Sequence, residues 1–191
     1  GTTLMKAKLD GYNSIGLDIS PFSVFLSNVL TKSYNVSKLS NTLTIISHEV
    51  NPGVEIPDVA ILNKSFSDSS LKYIYSLRDS INVLQRQERD FFLLSLLSIL
   101  NSVSKAKKSG GFLRITDQKK VPAITIKILF IKTSEKLIND VKTFKYSGAS
   151  AKAKIGDARK LPPFIKRESC DAILTSPPYP NRHDYTRIYE L

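Results

Sequence analysis

The sequence predicts an α/β chain with a mainly helical block set inside it. Three observations carry that expectation. "SIGLDISPFSVFLSNV" at residues 14–29 reads as strand, tight turn and helix, which is half of a βαβ unit. "AKAKI" at 151–155 and "DAILT" at 171–175 read as two further short strands. Between the first group and the last, residues 33–150 show mostly helical periodicity, larger than a small sheet needs. The 191 residues allow one domain of ordinary size. The organisation expected is a single domain over 1–191, with 33–150 as a largely helical insertion within it.

Taken in order, Thr2–Leu9 suits a short helix that Gly11 is placed to end. Ser14–Ile19 suits a strand with an acidic residue, Asp18, near its end. Ser20 is placed as an N-cap and Pro21 as the first helical residue, followed by Phe22, Phe25, Leu26 and Val29 at helical spacing. Residues 38–50 fit either helix or strand. Residues 51–67, with Asn-Pro-Gly and Pro57, read as a loop. Residues 68–105 are the strongest helical stretch, with "QRQERD" as a break or exposed bend. Gly110-Gly111 ends that region, and Ser134 is placed to cap a helix carrying Leu137, Ile138, Val141 and Phe144. Ala151–Ile155 alternates Ala with Lys as an edge strand does.

In open α/β sheets, function gathers at the carboxyl ends of strands. "DAILT" runs into Ser176-Pro177-Pro178-Tyr179 at such an end. The prolines donate no backbone N–H, so the carbonyls of Ser176 and Pro177 are expected without ladder partners. Acceptors beside the flat face of Tyr179 suit a planar heterocycle that carries an amino group. Taken alone, Asp18 reads as a helix cap and Asp157 as a turn residue before Arg159, whereas Tyr179 and the preceding apolar run set Pro177-Pro178 apart from ordinary loop punctuation.

Four segments in one chain order turn these fragments into a resemblance: "GTTL" at 1–4, "GLDISP" at 16–21, "IGDARKLP" at 155–162 and "LTSPPY" at 174–179. Together they resemble the amino-methylating DNA methyltransferases that use S-adenosylmethionine. The resemblance implies a partial Rossmann-like class I methyltransferase sheet with a mainly helical insertion. It implies cofactor contacts from Gly1, Thr2, Thr3, Asp18, Ile19, Asp157 and Ala158, with Asp18 taking the ribose hydroxyls and Asp157 the adenine amino group. It implies a catalytic corner of Ser176, Pro177, Pro178 and Tyr179, where Ser176 Oγ and the Pro177 carbonyl accept from the NH₂ of an extruded base and Tyr179 stacks on it. Serine in the first motif position favours cytosine N4. Adenine N6 methylation, RNA base methylation and a non-catalytic nucleic-acid-binding relic are the alternatives.

In that family the first strand lies between those ending here at Asp18 and Thr175. The resemblance therefore implies a fragment, with missing segments of the same enzyme as partners and little methyl transfer by the chain alone. It also implies duplex DNA as substrate and a cognate restriction endonuclease as a further partner. His183, with Asn181, Arg182 and Asp184, is expected at the surface or against substrate. Cytosine C5 chemistry needs a thiolate after the strand. Cys170 precedes it and is expected to be buried and inert.

Charge and composition bound the rest. From Lys105 to Arg167 there are 17 Lys or Arg against 4 Asp or Glu, and the remaining residues sum to −2 within the total of +11. Such a local excess suits a polyanion, and parts of 105–154 are expected to contact DNA, although a Lys-rich composition accounts for it equally well. Lys105, Lys107 and Lys108 read first as a solvated helix end. One cysteine permits no internal disulfide, and two distant histidines disfavour a metal site. The apolar run 91–100 is too short to span a bilayer. No signal-peptide pattern is visible, and the cytoplasm is the expected compartment.

Overall fold

A computed structural model describes residues 1–48, 53–109, 112–146, 148–160 and 164–176. It is mixed α/β, with mostly helices. In chain order the elements are α1 (Thr2–Leu9), β1 (Ser14–Asp18), α2 (Pro21–Thr31), α3 (Val36–His48), α4 (Ala60–Ser65), α5 (Asp68–Asn82), α6 (Arg86–Val103), β2 (Ala106–Ser109), β3 (Phe112–Ile115), α7 (Ala123–Thr143) and β4 (Ala151–Ile155). Two compact units result. Among the described residues the first gathers Gly1–Thr31 with Phe112 and residues 148–160 and 164–176, and the second comprises Lys32–Ser109 and Leu113–Tyr146.

The first unit is built on a parallel pair. β1 and β4 run side by side in register from Ser14↔Ala151 to Asp18↔Ile155. Their small residues let helices approach closely. Gly16 lies opposite Ala153, and a Cβ on Gly16 would come within 2.9 Å of Leu4 Cδ1. Leu4, Val24 and Ala153 form the buried centre, with Ala151 packed against it. α1 ends where expected. Gly11 takes φ +86°, Tyr12 N–H donates to Ala7 O at 2.8 Å, and Gly11 N–H donates to Lys8 O at 3.3 Å. This pattern satisfies the last carbonyls of the helix.

β4 has a second partner besides β1. Asn28 of α2 donates from Nδ2 to Ala153 O at 3.0 Å and accepts from Ala153 N–H at 2.9 Å on Oδ1. A side-chain amide thus stands in for a neighbouring strand and closes that edge. Residues 171–175 do not form the strand expected of them. They carry no regular secondary structure and are exposed, Ile173 by 84% and Leu174 by 81%. A strand needs a ladder partner, and none of the described residues supplies one.

The second unit buries one cluster that includes Leu39, Ile46, Leu77, Ile81, Phe92, Ile126 and Phe130. Each such side chain contributes about 1.5–3 kcal/mol of transfer free energy. The ambiguous segment is helix α3, whose Leu39, Leu43 and Ile46 face the core. The expected loop at 51–67 contains α4. The long helical stretch is two helices broken at residues 83–85, and "QRQERD" supplies most of the first turns of α6 rather than the break. Ser67, one residue before the helix, caps α5 by accepting from Ser70 N–H at 3.2 Å.

α7 differs most from expectation. Ser134 is not a cap. It lies mid-helix, fully buried, with Oγ 2.9 Å from Ser95 Oγ of α6. Ile126, Phe130, Ser134 and Ile138 recur every four residues along one buried stripe. Burial of that stripe overrides the strand-like run of isoleucines at its start. The pair β2–β3 was not foreseen either, and it places Lys107 on a strand rather than at a helix end. Gly110 and Gly111 lie outside the described residues.

Candidate functional site

Because β1 and β4 are parallel, their carboxyl ends lie together. Gly156 N–H donates to Asp18 O at 3.1 Å, so Asp18 and Asp157 follow from adjacent strand ends. The chemistry-bearing residues of the first unit gather there.

Asp18 is exposed at the end of β1. Its Oδ1 accepts Ser20 N–H at 2.8 Å, while Ser20 Oγ accepts Ser23 N–H at 3.3 Å at the start of α2. Ser20 therefore caps the helix, and Asp18 braces the turn that leads into it. Among the described residues Asp18 Oδ2 takes no hydrogen bond, so one carboxylate oxygen faces outward. Ile19 is 72% exposed beside it.

Asp157, one residue beyond Gly156, is held by Arg159. Its Oδ1 accepts the Arg159 backbone N–H at 3.0 Å and Nε at 2.9 Å, and its Oδ2 accepts Nη2 at 2.7 Å. These hydrogen bonds, side chain first, hold its carboxyl well below the ordinary range, at about 2. The turn-residue alternative is thus realised, and Oδ2 also accepts Nε at 3.1 Å, so Arg159 engages both oxygens of the ionised carboxylate. Ala158 is exposed next to it.

Gly1 is the N-cap of α1, and Thr2 and Thr3 are exposed in its first turn. Leu4 packs on Gly16 in the middle of β1, and α1 closes back toward Ser14. A Cβ on Gly1 would lie 3.5 Å from Ser27 Oγ and Leu30 Cδ1, so the start of α1 rests against the C-terminal half of α2. Phe22 is the residue the sequence reading missed. It suits the inward stripe of α2 by spacing, yet it is 55% exposed one residue into the helix, three residues after Ile19. Its signal was position: the first helical turn after a strand end is a ligand-facing place.

Of the catalytic set, Ser176 is described. It is exposed and outside regular secondary structure. Pro177, Pro178 and Tyr179 lie outside the described residues, as do Asn181, Arg182, His183 and Asp184. The structure thus brings Asp18, Ile19, Asp157 and Ala158 together and leaves the corner unplaced. Cys170 is exposed, not buried, because the flanking segment forms no strand and packs no core. No His, Cys, Asp or Glu cluster among the described residues suits a metal. No helix among them is long and apolar enough to cross a membrane.

The type II methyltransferase M.BsoBI of Geobacillus stearothermophilus is 28% identical in an alignment covering 100% of this chain and 44% of the relative. The chain is similar to type II DNA methyltransferases. M.AvaI of Nostoc sp. (strain PCC 7120) and M.AvaI of Anabaena variabilis are each 32% identical over 63% of this chain and 28% of the relative. The chain spans less than half the length of these methyltransferases. No protein-family profile matches it, and no solved structure matches it.

Proposed function

We propose that this chain forms the cofactor and base-handling part of an S-adenosylmethionine-dependent DNA methyltransferase acting on an exocyclic amine, with cytosine N4 the favoured target. The observation that carries the reading is the pairing of β1 with β4. It places two ionised or exposed carboxylates, Asp18 and Asp157, at one end of a parallel sheet in a chain similar to type II DNA methyltransferases. On this reading the pair belongs to a Rossmann-like class I sheet within one catalytic domain, and the enzyme works in a restriction–modification pair.

The donor set fits the cofactor. Asp18, with a free carboxylate oxygen, suits a ribose diol. Asp157 would offer an amino N–H its ionised Oδ2, an oxygen it shares with Arg159. Ile19 and Phe22 offer apolar surface for a planar ring, and the first-turn N–H groups at Gly1, Thr2 and Thr3 suit a carboxylate. When bound, the cofactor supplies an electrophilic sulfonium methyl group. The residues of this chain do the rest. Ser176 Oγ and the Pro177 carbonyl accept from the base NH₂ and turn its nitrogen lone pair out of the ring. Pro178 stiffens the corner. Tyr179 stacks on the flipped base, which contributes about 1–3 kcal/mol toward the cost of extrusion. As the amine nitrogen took the methyl group, the sulfonium S–C bond would break to leave a neutral thioether and the nitrogen would lose a proton to water, so this chain's residues would need to supply positioning and dipoles more than a strong base.

Calorimetric titration with S-adenosylmethionine tests the first half. Asp18→Ala should weaken binding on the order of tenfold or more, the loss of one charge-assisted hydrogen-bonding group. Undiminished binding in Asp18→Ala overturns the cofactor assignment. In the assembled enzyme, Ser176→Ala should abolish methylation and leave DNA binding intact. Mass spectrometry of the product nucleosides then separates N4-methylcytosine from N6-methyladenine.

A further inference from the structure

The second unit keeps its positive charge in one part of its sequence. Residues 32–104 carry seven Lys or Arg and seven Asp or Glu, net zero, whereas residues 105–145 carry eleven against three, net +8. Folding concentrates part of that excess on one corner. Lys105 N–H donates to Ser65 O at 3.0 Å, and Thr116 N–H donates to Lys105 O at 3.0 Å. Lys120 Nζ donates to Asn63 O at 2.8 Å, and Ser70 Oγ donates to Val121 O at 2.5 Å. These bonds tie the root of the β2–β3 ribbon and the lead-in to α7 onto the junction of α4 and α5. Lys64, at the end of α4, thereby joins Lys105, Arg114, Lys119 and Lys120 from a segment more than forty residues away.

Lys64, Arg114, Lys119 and Lys120 are exposed and Lys105 is half-buried. Among the described residues none of the five is in an ion pair, whereas Lys32, Lys38, Arg78, Arg86 and Arg89 of the neutral part all are. Among the described residues Lys72 and the lysines of α7 are likewise in no ion pair, and what marks these five is that the bonds above gather them on one corner. Lys107 is not part of the set. Its ammonium donates to the carbonyls of Asn101 and Ser102 at 2.8 and 3.2 Å and so finishes the C-terminus of α6. Asp58, Asp68 and Asp117 share the corner. Asn63 Nδ2 donates to Asp58 at 3.1 Å, and Asp68 lies in the first turn of α5, where it offsets the helix dipole.

We infer that this corner is a docking surface for the phosphate backbone of duplex DNA, with Lys64, Lys105, Arg114 and Lys119 as the contacting cations and Lys120, whose ammonium is held on Asn63 O, as a positive charge beside them. It rests on the DNA reading above and adds the place where DNA is held. Unpaired cations on a surface gain most from phosphates, because no protein carboxylate has to be given up and condensed counterions are released. A two-stranded ribbon beside them also has the width of a major groove.

Fluorescence anisotropy with a short labelled duplex, titrated with the 191-residue chain across a salt series, tests it. The double variant Arg114→Glu/Lys119→Glu should bind about tenfold more weakly or worse, and its log–log salt slope should be shallower by about 2. Arg86→Glu, at the other end of α6 and ~27 Å along its axis, should bind as wild type. Circular dichroism melts check folding, and Arg114→Gln/Lys119→Gln must show the same slope change with less disturbance. The inference fails if wild type does not bind duplex, if the double variant keeps its affinity and slope, if Arg86→Glu loses as much, or if structured RNA competes better than duplex. The cofactor titration keeps the two readings apart. Unchanged DNA binding in the double variant beside normal cofactor discrimination at Asp18 sinks this surface alone. Lost discrimination at Asp18 beside a salt-sensitive corner sinks the methyltransferase reading alone.

Discussion

Gly11 shows what one residue contributes to the first unit. Its φ of +86° lies where a side chain is disfavoured, and an added Cβ would meet nothing within 4 Å. The cost of Gly11→Ala is therefore backbone strain alone, about 1 kcal/mol, and urea denaturation should show that loss with an unchanged slope. Asp157 makes the second residue-scale case. Its folded carboxyl is depressed from 3.8 to about 2, chiefly by the Arg159 side chain. A depressed acid favours the folded state above its unfolded value, and that contribution fades as pH falls through the folded value. Arg159→Ala should raise the Asp157 value part way back toward 3.8, since the backbone N–H of residue 159 still donates. A carboxyl-detected NMR titration reads it directly, and a value that stays near 2 would show that the guanidinium is not the cause. The turn chemistry of both aspartates was legible in the sequence, since each precedes a residue whose backbone N–H it can accept, whereas a site role for them comes only with the resemblance. Phe22 was not legible, since helical spacing alone cannot tell the first exposed turn from the buried stripe that follows.

At the scale of elements, the edge of β4 depends on one amide. Asn28 satisfies both the N–H and the C=O of buried Ala153, a pairing ordinarily made by another strand. Asn28→Ala should cost about 2 kcal/mol, because it leaves two backbone groups orphaned rather than exchanging one bond for another. Asn28→Asp keeps the acceptor for Ala153 N–H and should cost less, and thermal melts of the two variants set the order. Equal losses would mean that only packing at position 28 matters. Elements defined by local chemistry were readable in advance: the Gly11 terminus, the Ser20-Pro21 start and the alternation of "AKAKI". Those defined by distant partners were not. Ser134 has the composition of a cap, but Ser95 on another helix makes it an interior residue. "DAILT" has the composition of a strand, but composition supplies no ladder partner. The strands of the ribbon β2–β3, AKKS and FLRI, are only four residues each and neither alternates apolar with polar, so periodicity gave no signal.

At the scale of the whole molecule, the two compact units divide the proposed labour: the paired strands and their carboxylates belong to one, and the basic corner belongs to the other. Cofactor binding should therefore leave a mark confined to the first unit. Ligand at one hundred times its dissociation constant adds about 2.7 kcal/mol to the state that binds it. Where opening is local, only the segments that must close to bind share that protection. Hydrogen–deuterium exchange with and without S-adenosylmethionine should slow at Asp18–Phe22 and at Gly156–Arg159, whose backbone bonds join the two strand ends. Amides in α5, α6 and α7 should exchange as before, since their burial rests on the separate cluster around Phe92 and Phe130. Duplex DNA should give the complementary pattern, with slowing at residues 63–70 and 114–121 and none at Asp18. Cofactor protection spread evenly over both units would mean that they open together, and the physical division drawn from their separate cores would be wrong. Cofactor protection in the second unit alone would move the cofactor site away from the strand ends altogether. The experiment is decisive because each ligand is assigned to residues that share no hydrogen bond with the other set, so each protection map can succeed or fail independently.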